Sequence, residues 1–171
     1  MSDVAESERV RKLLAQIKDP EIPIVDILEL GIVRAVSVTG GSVKIDITPT
    51  YSGCPAMAVI ESEIRALLCA EGFHKIEINT VYAPVWSTDW ITPEAKRKLK
   101  EYGIAPPQDK AADPPLSINT LVSINTRPEN IACPYCDSTD TSLRSRFGST
   151  ACKSLYFCNS CREPFEYFKT F

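Results

Sequence analysis

Apolar residues recur at helical spacing at Val10, Leu13, Leu14 and Ile17, and the pattern stops at Asp19-Pro20. Proline lacks a backbone donor and disfavours the helical region for the residue before it, so a helix ends here. The polar stretch Asp19-Pro20-Glu21-Ile22-Pro23 predicts a turn, and Leu30-Gly31-Ile32-Val33 leads on from it. Alternation then takes over. Residues 33–38 and 43–48 predict two strands joined across Gly40-Gly41, a dipeptide suited to a hairpin. In the second strand Val43, Ile45 and Ile47 share one face, and Lys44, Asp46 and Thr48 the other. One face is expected to be packed and the other wet.

Beyond Cys54-Pro55 the period becomes helical again. Met57, Ile60, Ile64, Leu67 and Leu68 form one apolar stripe, with Gly72 in the position that follows a helix end. Ile76, Ile78, Thr80 and Tyr82 alternate as a third strand, and Thr92-Pro93-Glu94 opens a further helix that ends near Tyr102-Gly103. Hairpin, crossover helix and returning strand predict an α+β fold, a small three-stranded mixed sheet with helices packed on one side. Pro106, Pro107, Pro114, Pro115 and Pro128 mark residues 104–130 as a linker. It contains a short echo, Ser117-Ile118-Asn119-Thr120 and Ser123-Ile124-Asn125-Thr126. The chain thus divides into a domain at 1–103, the linker, and a small domain at 131–171.

The small domain carries the strongest chemical signal. Cys133-Pro134-Tyr135-Cys136 and Cys158-Asn159-Ser160-Cys161 are two C-x2-C pairs. Their separation is slightly longer than the roughly 15–20 residues usual for such a site, which one longer hairpin would absorb. Four thiolates around one Zn²⁺ make a closed site with no position for a substrate, so a structural zinc ribbon is expected. Iron in the same ligand set, or disulfides, are the alternatives. The opening MSDVAESERV has no apolar core, so no secretory signal is expected, and no apolar run approaches a membrane span. With seven cysteines, an odd number, a cytoplasmic chain binding metal is the favoured reading.

The net charge of −3 excludes a molecule built as a whole for polyanions. From Ile131 onward Arg144, Arg146, Lys153, Arg162 and Lys169 face Asp137, Asp140, Glu163 and Glu166. Four thiolates and one Zn²⁺ turn that small basic excess negative, so no nucleic-acid partner is expected. Arg144, Arg146 and Lys153 near Phe147 and Tyr156 keep a nucleic-acid ribbon as a lesser reading.

Cys54 lies between a strand end and a helix opening at Pro55. Unpaired N–H groups and the positive end of the helix dipole are expected to lower its pKa, although a small buried residue explains the position too. Cys69, beside Leu68, reads as structural, and Cys152 as packing, a substitute ligand or a thiol offered to a partner. The single histidine, His74, falls in a predicted loop, which removes Ser-His-Asp and Cys-His mechanisms. No Walker A or G-x-G-x-x-G pattern supports nucleotide chemistry. The acids of Asp19-Pro20-Glu21 read as a solvated turn or as general acids.

Asp19-Pro20-Glu21-Ile22-Pro23, Asp26-Ile27, Leu30-Gly31-Ile32-Val33 and Thr48-Pro49-Thr50-Tyr51-Ser52-Gly53-Cys54-Pro55 resemble the small α/β domain of iron–sulfur assembly factors. A longer likeness includes Trp86-Ser87-Thr88-Asp89-Trp90, residues 100–107, Phe147-Gly148-Ser149-Thr150-Ala151-Cys152-Lys153 and residues 161–169. These resemble the D-subunit family of bacterial phenylacetyl-CoA epoxidase systems, over residues 10–105 and 131–169. The resemblance implies an accessory or maturation role in aerobic phenylacetate breakdown, with other subunits carrying the di-iron oxygenase and the flavin/iron–sulfur reductase. It puts Cys54 at the reactive cysteine, Asp19 and Glu21 in its acidic turn, and Cys152 as a second functional thiol, the pair holding iron or a cluster transiently. The oxygenase or the reductase is the implied partner, and the epoxidation itself is not expected of this chain. The ribbon would dock the client, with Phe165, Tyr167 and Phe168 as its contact or its core. A stably bound structural or electron-transfer component is the alternative. A symmetric homodimer that brings two Cys54 thiols together is compatible with the chain.

Overall fold

The computed structural model describes residues 3–51, 53–108 and 130–171. Most of the predicted linker, including its sequence echo, lies outside them. The chain forms two compact units, Met1–Leu99 with Phe171, and Lys100–Thr170.

The first unit is built on strands β1 (Val33–Thr39), β2 (Ser42–Ile47) and β3 (Lys75–Thr80), in that spatial order. The hairpin β1–β2 is antiparallel and β2–β3 parallel, the mixed sheet expected. Gly40 and Gly41 both have positive φ, 55° and 75°, the backbone a tight hairpin turn requires and glycine alone adopts without strain. Val43, Ile45 and Ile47 are fully buried while Lys44 is exposed. Thr48 departs from the alternation: it is buried, because β2 has ended and its N–H donates to the carbonyl of Ile32 at 2.8 Å.

Helices α1 (Asp3–Leu14) and α2 (Ala56–Ala70) complete this core through Val10, Leu14, Ile60, Ile64 and Leu68, with α1 packed on β1 and α2. Each such side chain contributes about 1.5–3 kcal/mol on burial. Helix α1 stops three residues short of Ile17, where the bonds tighten to the i−3 type from Gln16 to Leu13 and Ile17 to Leu14. Helix α2 ends in a Schellman motif, Gly72 N–H on Cys69 O and Phe73 N–H on Leu68 O. Strand β3 stops at Thr80, and Tyr82 is exposed. Helix α3 (Pro93–Glu101) starts as its sequence implies, with Thr92 Oγ1 accepting from Ala95 N–H at 3.1 Å and Pro93 in the first turn.

The second unit is a four-stranded sheet, ordered β4 (Ile104–Ala105), β7 (Pro164–Phe168), β6 (Lys153–Cys158) and β5 (Thr141–Ser145). The first two residues of the predicted linker are therefore a strand. Ile104 and Ala105 pair with Glu166 and Tyr167 in parallel, a long-range contact without periodicity in the sequence. Tyr156 stacks on Phe165 and meets Tyr167 edge-on, both at 5.8 Å between ring centroids, with Ile131, Cys133 and Cys158 in the same cluster. The aromatic strand is core, not contact surface: Phe165, Tyr167 and Phe168 are all buried.

Candidate functional site

In the first unit the residues around 19 and 26 form two consecutive side-chain-closed turns. Asp19 Oδ1 accepts from the N–H groups of Glu21 and Ile22, each at 2.9 Å. Asp26 Oδ1 does the same for Leu28 at 3.0 Å and Glu29 at 2.9 Å, while Glu29 Oε2 accepts from Asp26 N–H at 3.0 Å. These bonds compete with helix, which is why this stretch is turn rather than a continuation of α1. Burial pushes the Asp26 carboxyl above its ordinary value. Burial acts the same way on Glu29, but Lys98, bonded to it at 2.5 Å, and the Asp26 N–H hold it below the usual carboxylate range. The sequence pattern points to Asp19 and Glu21 and not to the Asp26–Glu29–Lys98 set. The spacing Asp26-x-x-Glu29 is the one signal of that set, a capping-box pattern away from any periodic helix.

Cys54 is half-buried just ahead of α2, its N–H on Tyr51 O at 3.2 Å and its carbonyl accepting from Met57 N–H at 3.4 Å. The carboxylates of Glu21 and Asp19 act on its sulfur, so the structure brings the acidic turn and this cysteine into one electrostatic environment. The direction of the effect corrects the expectation from the helix dipole. Burial pushes the Cys54 thiol up, and the two negative charges add to it. The Ala56 N–H and the Tyr51 side chain favour the thiolate but do not outweigh these. At neutral pH the sulfur is a protonated thiol.

Cys69 is exposed on α2, contrary to the structural role expected beside Leu68, since the helix turns it away from the buried stripe. His74 is exposed, as its loop position implies. Cys152 belongs to the other unit. It is 3 % exposed, its Sγ 3.0 Å from Thr150 Oγ1 and its carbonyl accepting from Lys169 N–H at 3.0 Å.

The second unit gathers Cys133, Cys136, Cys158 and Cys161, with all four sulfurs within 4.8 Å of one another. The closest approaches cross between the pairs, Cys133 to Cys161 and Cys136 to Cys158, each at 3.6 Å. A disulfide needs about 2.05 Å. A zinc ion about 2.3 Å from four sulfurs sets them roughly 3.8 Å apart, so this arrangement fits a tetrahedral metal and not two disulfides. Both pairs use the same backbone device. Asp137 N–H donates to Cys133 O at 2.9 Å and Arg162 N–H to Cys158 O at 3.0 Å. Cys133 N–H is in turn bonded to Ser138 O at 2.9 Å and Cys158 N–H to Glu163 O at 3.0 Å. Asp137 and Arg162 have φ of 59° and 67°, a left-handed conformation strained for side-chain-bearing residues. The repeated loop holds them there so that backbone N–H groups face the sulfurs. Those N–H groups, Cys161's first, draw the Cys158 thiol down to about 7, while burial pushes Cys133 up and the neighbouring sulfurs outweigh the Glu163 N–H to push Cys161 up. Tyr135, exposed within the first pair, lies over Gly103 ahead of β4.

The lesser nucleic-acid reading loses two of its five residues. Lys153 is buried, its ammonium 2.9 Å from Glu166 Oε2, and Tyr156 is inside the aromatic core. No helix among the described residues is long and apolar enough to cross a membrane.

Residues 7–79 match the family described as "Iron-sulfur cluster assembly protein", and residues 119–169 the "PaaD zinc beta ribbon domain". A protein of Escherichia coli (strain K12), described as a candidate D-subunit of 1,2-phenylacetyl-CoA epoxidase, is 46 % identical over 157 residues. The match spans 92 % of this chain and 88 % of that one. The Fe-S protein maturation auxiliary factor YitW of Bacillus subtilis (strain 168) is 34 % identical, over 54 % of this chain and 91 % of its own. A crystal structure of a domain of unknown function, DUF59, from Bacillus anthracis superposes with a TM-score of 0.55 at 32 % identity. It covers 58 % of this chain and 95 % of that domain. The ribbon match and the four-sulfur geometry together support structural zinc.

Proposed function

The chain belongs to the D-subunit family of 1,2-phenylacetyl-CoA epoxidase, and from that premise we propose that it helps to mature the metal centres of that multicomponent enzyme. An accessory role of the iron–sulfur-assembly type follows from the relatives. The finer reading, that the oxygenase or reductase is the client, is ours. The observation that carries it is the half-buried thiol of Cys54 just ahead of α2, which feels the charges of Asp19 and Glu21.

Iron, as cargo, is drawn to the two carboxylates. Its charge offsets the repulsion that keeps the Cys54 proton in place, the S–H bond breaks, and the proton leaves to solvent as the sulfur takes the metal. Asp19 shapes the turn through Oδ1, and Glu21 sits half-buried upon it. One thiolate and the two carboxylates leave positions open on the metal, so it is held loosely and can pass on. Cys152 would act as a second thiol only after its burial is relieved. The ribbon's zinc stays in place throughout and carries no step. The chain works in the cytoplasm, where thiols remain reduced, and the epoxidation belongs to other subunits.

To test this, the epoxidase is produced with the Cys54→Ser chain, and its iron, flavin and activity are measured. Depleted iron and lowered activity are expected, and full metallation removes the role. The relative's description as a subunit favours a second reading, a component that stays bound. A stoichiometric chain in the active enzyme supports that reading, whereas an enzyme that stays active once the chain is stripped away supports maturation.

A further inference from the structure

We infer that strand β5 and the loop after it form a docking surface for an acidic face of another protein, with Phe147 as the apolar anchor. This rests on reading the ribbon as the part that meets the rest of the epoxidase, and it is independent of Cys54. Along this edge Leu143 is 47 % exposed and Phe147 68 %, with Arg144 and Arg146 exposed between them. Lys169 Nζ stands 4.6 Å from the centre of the Phe147 ring. Arg144 lies over Phe157 at 4.9 Å. Among the described residues no carboxylate forms an ion pair with Arg144, Arg146 or Lys169. In a chain of net charge −3 this is a concentrated cationic edge around a large exposed ring.

The ring is held, not dangling. Phe147 N–H donates to Ser145 Oγ at 3.2 Å, and Gly148 N–H to Lys153 O at 2.8 Å. Ser149 N–H donates to Glu166 Oε1 at 2.6 Å, and Lys169 Nζ to Ala151 O at 2.7 Å. Behind the loop the Lys153–Glu166 pair fixes both strands, and a Cβ at Gly148 would come within 2.6 Å of Glu166 Oε1. A loop ordered before binding loses little entropy on binding, and aromatic and arginine side chains are the residues that most often dominate interface energy.

Charge complementarity selects an acidic partner, and the apolar anchor selects a protein over a nucleic acid. Two exposed arginines and a lysine already bound to Ala151 make a weak polyanion track, and the neighbouring rings of the same sheet, Tyr156, Phe165, Tyr167 and Phe168, are buried. The register shift at Arg144, with a charge on the edge itself, disfavours strand addition, so docking runs through side chains.

The test measures binding of the full chain to the purified remaining epoxidase subunits. Arg144→Glu with Arg146→Glu, and separately Phe147→Ser, should each weaken binding about 10-fold or more while zinc is retained. Raising salt from about 0.1 to 0.5 M should weaken the wild type but not the double variant. Val85→Ser, an exposed apolar change in the other unit, and Cys54→Ser should bind as wild type. The proposal is overturned by wild-type affinity in both zinc-loaded variants, by no binding of the wild type, or by labelled single-stranded RNA whose binding the same variants abolish. If charge reversal costs zinc, Phe147→Ser decides alone.

Discussion

The two units place cysteine in opposite circumstances. In the ribbon four sulfurs face one another at metal-ligand spacing, fed by a repeated loop of backbone N–H groups. In the α/β unit one sulfur stands half-buried ahead of a helix, with burial and the field of two carboxylates holding its proton on. The difference teaches that sulfur near a metal is not one role. A complete ligand set makes the metal part of the fold, while an incomplete set beside acids can take a metal and give it up.

Removing a ribbon ligand separates the two most sharply. Cys133→Ser, or a strong chelator, should unfold the second unit, since structural zinc contributes roughly 10 kcal/mol or more to small metal domains. Zinc analysis with limited proteolysis should show digestion from Lys100 onward and a protected first unit. The converse break is a cavity in the apolar core. Ile45→Ala should cost about 2–5 kcal/mol in urea unfolding of the first unit and leave zinc content unchanged.

The Lys153–Glu166 pair gives a smaller, pH-dependent contrast. Burial alone would raise the Glu166 carboxyl, but the Ser149 N–H and Lys153 hold it below its ordinary value. Its stabilisation is therefore present above the unfolded carboxylate pKa and lost as pH falls through the folded one. Glu166→Gln should cost about 1–3 kcal/mol at pH 7 and flatten that acid slope in thermal melts. The mildest change is Thr92→Ala, which removes the α3 cap and should cost about 1 kcal/mol. For the thiols themselves, site-resolved alkylation at mildly alkaline pH should label exposed Cys69 before Cys54. Cys54 labelling should rise steeply only at pH above that of an ordinary thiol, because its folded pKa is raised.

Much of this contrast is legible in the chain. Alternation around Gly40-Gly41 and the stripe from Ile60 to Leu68 encode the mixed sheet and its helix, because period and turn chemistry are local. The ribbon cysteines are legible for the same reason, each pair needing only two intervening residues to reach one ion. What the sequence hides is set by distant partners. The short β4 is a strand only because β7 lies beside it. The Cys54 thiol is raised first by its burial and then by Glu21 and Asp19, which come from more than thirty residues away, and a dipole argument on one helix contains neither. Lys153 reads as a surface cation until Glu166 takes it inside. The left-handed Asp137 and Arg162 follow from the metal loop rather than from their own preferences.

Where iron goes is what separates a working site from a brace. The full chain is purified without oxygen, loaded with Fe(II), desalted and assayed for zinc and iron, alongside its Cys54→Ser form. Both should keep one zinc per chain, and only the wild type should keep iron. Iron retained by Cys54→Ser at the wild-type level contradicts the claim that the Cys54 turn is the working site and the ribbon its brace.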